Sequence, residues 1–425
     1  MKMVSLFSMI IGKRRRIQRR YLVAATTFAG TVLHPTTAWS STVRQEGHYH
    51  HHHHHCGPFL SSRLYSSSTI SSSSSSSSSS CSNRESWLIV GDGDLSYAAW
   101  LAPQLDPATT ALTASVWEDM NTHRQVYQSS VINSQIIQRA GHDVRFGIDA
   151  TRLGGHDDTN NTLIDGKAHA FDRIVFNFPH WRGKANIRYN RRLIDEFFAS
   201  AANVLQRPHG KIHLALLHGQ SGVDAESVTA WKQSWMVQQY ANQYGLFLED
   251  VQPFEVSYNL SSHRGVDRAF SPGRNPRRYI FGWEASPPPY QLACRHELRL
   301  RLDPERLCSG ACPYTVDEMA RTDVIPHLVR SCTPHGINAT LPLRDTVHRQ
   351  RSTTPLLIFL VVYTGVSQPL TRVLADTIRD RVETYIGQVT GLEIAKAGRP
   401  VSKVFPYALL ESIKQEYFVS NQTTI

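Results

Sequence analysis

The sequence predicts an α/β protein: a doubly wound domain on a parallel sheet, then a smaller α+β domain, both behind a disordered N-terminal extension. Three observations carry that expectation. From Glu85 onward, short apolar runs of strand length alternate with amphipathic stretches of helix length. A triple proline, Pro287 to Pro289, precedes a second block whose elements read β-α-β-β-α-β, the split ferredoxin-like pattern. Ahead of Glu85 lie six consecutive histidines (His50–His55) and ten consecutive serines (Ser71–Ser80), which offer no apolar surface to offset the entropy of ordering. The expected boundaries are 1–41 for a targeting-like leader, 42–84 for a flexible His- and Ser-rich spacer, 85–284 for the first domain, 285–293 for a proline-rich linker and 294–425 for the second domain.

Composition excludes several classes. The 425 residues are 41% hydrophobic and 19% charged, an ordinary globular mix rather than a wholly disordered or collagen-like one. No run of about 18 apolar residues occurs, so a polytopic membrane protein is excluded and no stable membrane insertion is expected. The net charge of +10 is local: residues 1–85 hold ten Lys or Arg against two acids, and the rest hold 35 against 33. The leader is basic and acid-free from residue 1 to 45, which fits a transit peptide for a mitochondrion or plastid. The apolar stretch Tyr21–Leu33 also fits a signal core but is too short to span a bilayer. A nucleolar or cytoplasmic location is the competing reading. Six cysteines at irregular spacing argue for reduced thiols. Cys308, Cys312, His327, Cys332 and His335 match no standard zinc spacing, and no metal is expected.

The elements of the first domain follow in order. Trp87–Val90 reads as a buried strand and runs directly into Gly91-Asp92-Gly93-Asp94-Leu95-Ser96. A helix carrying Tyr97, Ala98, Trp100 and Leu101 follows, then a strand over 111–117 that ends in Glu118-Asp119. Helix over 121–140, strand over 144–148 ending in Asp149, and strand over 171–176 come next. An amphipathic helix over 192–205, a strand over 211–217, a helix over 227–244 and a last strand near Tyr279–Trp283 complete the domain. Right-handed crossovers place all carboxyl ends of parallel strands on one edge, where ligands bind.

The polar residues cluster at that edge. Gly91 and Gly93 let backbone approach a ligand closely, and Ser96 stands where a dinucleotide fingerprint has its third glycine, which counts against NAD. Glu118 is placed to accept from ribose hydroxyls and Asp149 from an adenine amine, so the ordered set suits an adenosyl ligand with a short amino-acid tail. The competing reading is that each acid caps the next helix. Asn177-Phe178-Pro179-His180 puts an amide, a ring and an imidazole on a backbone stiffened by proline. Behind it, Trp181, Arg182, Lys184, Arg188, Tyr189, Arg191 and Arg192 form an acid-free run of bases and aromatics, the composition that holds phosphates and stacks bases. A second basic cluster at 263–278 includes Arg264, Arg268, Arg277 and Arg278.

The segments 88–97, 147–151, 171–180, 189–193, 197–201 and 210–214 resemble the Rossmann-like class I methyltransferase domain of the large-subunit ribosomal RNA uridine-N3 methyltransferases. Phe176-Asn177-Phe178-Pro179-His180 is the most specific of them. The resemblance implies that S-adenosyl-L-methionine binds at the Gly91/Gly93 loop and at Asn177–His180; the reading of the residues adds Asp92, Glu118 and Asp149 to the expected cofactor set. Departures are Asp92 and Leu95, where the family commonly has Glu and Phe, and Leu217-His218-Gly219, where a Lys often follows the fifth strand.

Uridine N3 is a poor nucleophile until its proton leaves, so a base must be positioned. His180 is the candidate base or base-orienting residue, Asp94 the second, and Asn177 joins them as the catalytic set. N3 lies on the Watson–Crick edge, so the target must be unpaired or flipped, with Phe178 and Trp181 as stacking candidates. Arg182, Lys184, Arg188, Arg191 and Arg264 are the expected RNA contacts. The expected partner is ribosomal RNA, with tRNA possible, and the protein is expected to act as a monomer. The alternatives are a non-catalytic RNA-binding protein that keeps this fold, and a nucleotide-dependent oxidoreductase. The second block is similar to the ferredoxin-fold anticodon-binding domain of phenylalanyl-tRNA synthetases, on element order and on the Arg379-Asp380-Arg381-Val382 helix.

Overall fold

The computed structural model describes residues 84–154, 171–181, 183, 186–255, 258, 267, 269–347, 354–395, 403–410 and 412. The leader, the histidine tract and the serine run lie outside the described residues, as do Arg182, Lys184, Arg264 and Arg268.

The first domain runs β1 (Glu85–Val90), α1 (Ser96–Leu101), β2 (Thr110–Ser115), α2 (Met120–Val126), α3 (Ser130–Arg139), β3 (Asp143–Arg145), β4 (Arg173–Asn177), α4 (Ile187–Val204), β5 (Lys211–Leu216), α5 (Val228–Gln233), α6 (Val237–Gln243), β6 (Phe247–Pro253) and β7 (Arg277–Gly282). The strand order is β3-β2-β1-β4-β5-β7-β6. β1 pairs parallel with β2 and β4, while β7 runs antiparallel to both β5 and β6. This is a Rossmann-like sheet of the class I methyltransferase type. A dinucleotide-binding sheet has β6 directly beside β5; here β7 is inserted between them. The chain winds away from β1 toward β3 and later from β4 toward β6, so the switch point falls between β1 and β4.

Period-two side-chain alternation divides the core between the two faces of the sheet. Leu88, Val90, Ile174, Phe176, Ile212 and Leu214 bury themselves with α4 and α6. α4 contributes Ile194, Phe197, Phe198 and Ala201, the i, i+3, i+4, i+7 stripe of an amphipathic helix. Ile89, Leu112, Ala114 and Val175 pack on the opposite face with residues of α1 and α3.

Three expectations change. The helix over 121–140 is two helices, because Tyr127 turns inward against His123 at 4.8 Å between rings. The helix over 227–244 is likewise two, broken at Ser234–Met236 where Met236 takes a left-handed φ of 53°. The strand over 144–148 stops at Arg145: Gly147 and Ile148 donate to the carbonyls of Glu118 and Val116 from a loop, with Gly147 at φ 75°. β6 has no counterpart in the sequence reading, since Glu249 and Asp250 interrupt its apolar pattern and Pro253 closes it.

The second block contains β8 (Leu292–Arg301), α7 (Pro304–Cys308), α8 (Val316–Arg321), α9 (Val324–Cys332), β9 (Ile337–Val347), β10 (Leu356–Gly365), α10 (Arg372–Thr390), β11 (Glu393–Ile394) and β12 (Val404–Pro406). Its antiparallel order is β11-β8-β10-β9, with β12 on the remaining length of β8. The segment read as a linker is a fastened turn: Tyr290 donates to the Pro287 carbonyl at 2.8 Å, and the Gln238 amide donates to the Tyr290 carbonyl at 2.6 Å. β8 already begins at Leu292. Trp231 of α5 is buried with Ala293, Val362, Phe405, Leu409 and Leu410, so α5 of the first domain packs into the second block. Among the described residues no helix is long and apolar enough to cross a membrane, and no group of three metal-ligating side chains forms.

His213 on β5 is the most perturbed histidine described. Burial first, then the positive charges of Arg173 and Arg278, lower its pKa from 6.5 to about 3. The unfolded chain therefore binds a proton there that the folded chain refuses, and stability is lost as pH falls from about 6.5 toward 3. The thermal unfolding midpoint of His213→Leu should fall less than that of the natural protein between pH 6.5 and 4, as read by circular dichroism.

Candidate active site

The loop after β1 and the segment after β4 are neighbours, because Val90 pairs with Phe176 at the ends of adjacent parallel strands. The loop is wound tightly. Gly91, Gly93 and Leu95 take left-handed φ values of 61°, 52° and 69°. A Cβ on Gly91 would stand 2.8 Å from the Phe176 ring, so glycine is required by space as well as by backbone. Leu95 is a fully buried non-glycine residue in the same region, the kind of strain that persists only where surroundings over-determine it.

Those surroundings are identifiable. His123 of α2 is fully buried; its Nε2 lies 2.6 Å from the Gly93 carbonyl and its Nδ1 2.6 Å from the Ser130 hydroxyl. A carbonyl only accepts, so Nε2 carries the proton and Nδ1 accepts from Ser130. Burial pushes the His123 pKa below its ordinary value, which keeps this neutral tautomer. The Asn133 amide donates to the Asp94 carbonyl at 2.8 Å. Two helices thus hold the outward carbonyls of the loop.

The amides that open α1 are occupied as well. Asp92 accepts from the Ala98 N–H at 2.8 Å and Asp94 from the Ser96 N–H at 3.0 Å, so both carboxylates cap the short helix α1. Asp94 is buried and caps α1 through Oδ1. Burial, opposed by these amide bonds and reinforced by the neighbouring Asp94 charge, raises the Asp92 pKa well above the usual carboxylate range. A phosphate entering here would meet two carboxylates and amides already bonded. A cation would instead relieve their desolvation and mutual repulsion.

The acids after β2 and β3 divide the expected roles. Asp119 is the N-cap of α2, accepting from Asn121 and Thr122, which leaves Glu118 half-exposed with no side-chain hydrogen bond among the described residues. Asp149 accepts from the Thr151 N–H and hydroxyl through Oδ1, at 2.8 and 2.7 Å, and shapes its own turn. Glu118 is therefore the better placed of the two to meet an outside donor.

On the β4 side, Asn177 is the outstanding residue. Its side-chain oxygen and nitrogen are buried without a hydrogen-bond partner. The Tyr97 hydroxyl is close enough for Asn177 to favour its ionised form, though burial dominates and raises its pKa. Phe178 is 5% exposed, at φ 49°, with Phe254 and Phe270 against it at 5.0 and 5.5 Å. It packs the floor of the site and offers no free face to a base, which corrects its placement as a stacking residue. The Nδ1 of His180 lies 2.6 Å from the Trp181 carbonyl, which fixes the proton on Nδ1 of the neutral ring and the lone pair on Nε2.

Trp181 and Tyr189 form the aromatic surface beside this segment. Their rings stack at 5.3 Å and 17°, Tyr189 is 44% exposed, and Arg192 lies 5.7 Å over Trp181. The Trp181 N–H donates to the buried Asn190 at 2.8 Å. Arg188 is exposed on the first turn of α4. Arg191, expected to bind RNA, instead donates to the carbonyls of Lys232 and Ser234 at 2.7 and 2.5 Å and ties α4 to the end of α5. Sequence reasoning missed His123 and Tyr258. The first reads as an ordinary polar helical residue, and the second lies in a loop whose pattern carries no period.

The chain is similar to several known proteins. A family model described as BMT5-like, rRNA (uridine-N3-)-methyltransferase, matches residues 88–263. The mouse ferredoxin-fold anticodon-binding domain-containing protein 1 homolog is 35% identical over 191 residues, 43% of this chain and 29% of that protein. Its human counterpart is 35% identical over 188 residues, 43% of this chain and 28% of that protein. The chain thus aligns with less than a third of the length of either relative. The solved 16S rRNA methyltransferase KamB is 13% identical, with 47% of this chain and 88% of that one covered at a TM-score of 0.29.

Two substitutions test the loop. Gly91→Ala should cost at least about 1–2 kcal/mol from the left-handed backbone alone, with the Phe176 contact adding to it, in urea unfolding. Asp92→Asn should act oppositely. A carboxyl whose pKa is raised on folding lowers stability as pH rises through that value, so the neutral amide should raise the unfolding midpoint at pH 7.

Proposed function

We propose that the chain is an S-adenosylmethionine-dependent RNA methyltransferase that methylates N3 of uridine in ribosomal RNA. The observation that carries this reading is the pairing, across the switch point, of a carboxylate-bearing loop with the buried amide of Asn177. The loop suits the positive sulfonium and ammonium of S-adenosylmethionine and does not suit a pyrophosphate, which also disfavours a nicotinamide cofactor. The family model over residues 88–263 supports the same substrate and atom.

When bound, S-adenosylmethionine supplies an electrophilic methyl group. The residues that would hold it are the Gly91–Gly93 backbone, Asp92, Glu118 for the ribose hydroxyls and Asp149 for the adenine. His180 accepts the N3 proton on Nε2, the nitrogen left basic by the Trp181 carbonyl. Phe178, Phe254 and the half-buried Leu217 form an apolar floor that excludes water from the acceptor side. Trp181, Tyr189 and Arg188 bind the flanking RNA by stacking and by charge. The second block, similar in element order to an anticodon-binding module, adds a further RNA surface. The protein works as a monomer in an organelle to which its leader directs it.

Isothermal titration should show S-adenosylmethionine binding that weakens at least about tenfold in Asp92→Asn, the loss expected of one charged contact. A cation favours the ionised carboxylate, so affinity should fall as pH drops through the raised Asp92 pKa, with proton release on binding. Ribosomal RNA from cells lacking the protein should lose 3-methyluridine by nucleoside mass spectrometry; unchanged 3-methyluridine would refute the assigned atom. Trp181→Ala should weaken RNA binding by about 1–3 kcal/mol, in filter binding at fixed salt, without changing S-adenosylmethionine affinity.

A further inference from the structure

Three polar side chains with buried atoms converge beside the proposed reaction centre; among the described residues the Tyr258 hydroxyl and Arg278 Nε make no hydrogen bond, and Asn177 makes no close one, with the Tyr97 hydroxyl near enough to interact. Asn177 closes β4 and contributes its side-chain oxygen and nitrogen; Arg278 lies at the start of β7 and contributes Nε. Ala215 of β5 pairs with Asn177 on one side and with Arg278 on the other. The three side chains therefore leave the same face of the sheet with only a methyl group between the two polar ones. Tyr258 packs against the cluster that contains this methyl, Phe178, Ala215 and Phe254, and its hydroxyl is the third buried group. Its ring is held by Tyr97 and Trp100 at 5.4 and 5.7 Å, and the Arg278 guanidinium lies 5.2 Å over Phe254. These buried atoms give up hydration for little hydrogen bonding among the described residues, which is the condition of a site that a polar ligand would complete.

The chemistry of the set selects the ligand. Arginine only donates, a tyrosine hydroxyl can donate, and the Asn177 amide donates through nitrogen. A planar imide, with a carbonyl on each side of its N–H, presents two acceptors to such donors. Arg278 sets a donor against an amino group on its own side; on the other side Asn177 can meet a carbonyl through Nδ2, as the uridine reading requires. The row also lies on the β5/β7 side of Asn177, away from Glu118 at the end of β2, so it belongs to the acceptor rather than to the adenosyl group.

We propose that Asn177, Tyr258 and Arg278 form the acceptor-base pocket, which takes the imide of a uracil ring and stabilises its deprotonated form. The inference rests on the uridine-N3 reading and adds the residues that make N3 reactive. Asn177 Nδ2 donates to one imide oxygen, and Arg278 with the Tyr258 hydroxyl donates to the other. As the N3 proton passes to His180, the negative charge spreads onto those two oxygens. The N3 electron pair then bonds the methyl carbon while the carbon–sulfur bond breaks, its electrons remaining on sulfur as a neutral thioether. Preorganised donors aimed at developing charge are the usual source of large rate effects.

The test uses the full chain, its Tyr258→Phe and Arg278→Met variants, and ribosomal RNA from cells lacking the protein, grown with or without 5-fluorouracil. A 5-fluorouridine acceptor has a more acidic imide and depends less on the pocket. Both variants should bind S-adenosylmethionine as the natural protein does in isothermal titration. Methyl transfer to uridine should fall about 100-fold in Arg278→Met and about tenfold in Tyr258→Phe. Transfer to 5-fluorouridine should recover at least about tenfold of the Arg278→Met loss, an effect a packing defect would not produce. Loss of S-adenosylmethionine binding in both variants, or equal losses on the two acceptors, overturns the pocket. A natural protein that forms no 3-methyluridine overturns the uridine reading and the pocket with it. Formation by the natural protein with unimpaired variants overturns the pocket alone.

Discussion

Two carboxylates sit in a left-handed loop at the one place in the sheet where the winding sense reverses, and their burial must be sustained by everything around them. Asp92 and Asp94 cap α1, His123 and Asn133 hold the loop's carbonyls from the neighbouring helices, and Gly91 admits the Phe176 ring. None of these contacts stabilises much by itself. Together they fix the conformation of the loop before any ligand arrives, and preorganisation of that kind lowers the cost of binding.

The opposite wall is built by different means. β4 and β5 carry the Asn177–His180 segment and its apolar floor, and their carboxyl ends are approached by the connection between β6 and β7. Tyr258 comes from that connection and Arg278 from the strand it leads into. The antiparallel β7, which separates β5 from β6, therefore does more than complete the sheet. It brings a guanidinium to the edge from a strand running the other way, where a purely parallel sheet would present only strand ends.

Much of this was legible in the sequence because it rests on short-range pattern. The alternation of apolar runs located β1, β2, β4 and β5, the glycine pair located the tight loop, and Asn177–His180 stood out as a polar segment at a strand end. What escaped depends on contacts distant in sequence. Phe178 reads as a stacking ring until Phe254 and Phe270 are seen against it, and Arg191 reads as a phosphate ligand until the end of α5 is found within reach. β6 was hidden by its acidic residues, and β12 by its length of three residues. The proline run reads as a hinge, yet the backbone around it is tied back on both sides.

That last difference bears on how the two halves are held. Phe405 and Leu409 hold Trp231; the carbonyls that follow Trp231 hold Arg191; the adjacent Asn190 holds the Trp181 backbone. A lever of direct contacts thus runs from the ferredoxin-like module to the rim of the crevice. The separation between the crevice rim and the second block is set by packing rather than by tether length, so the two keep a fixed spacing.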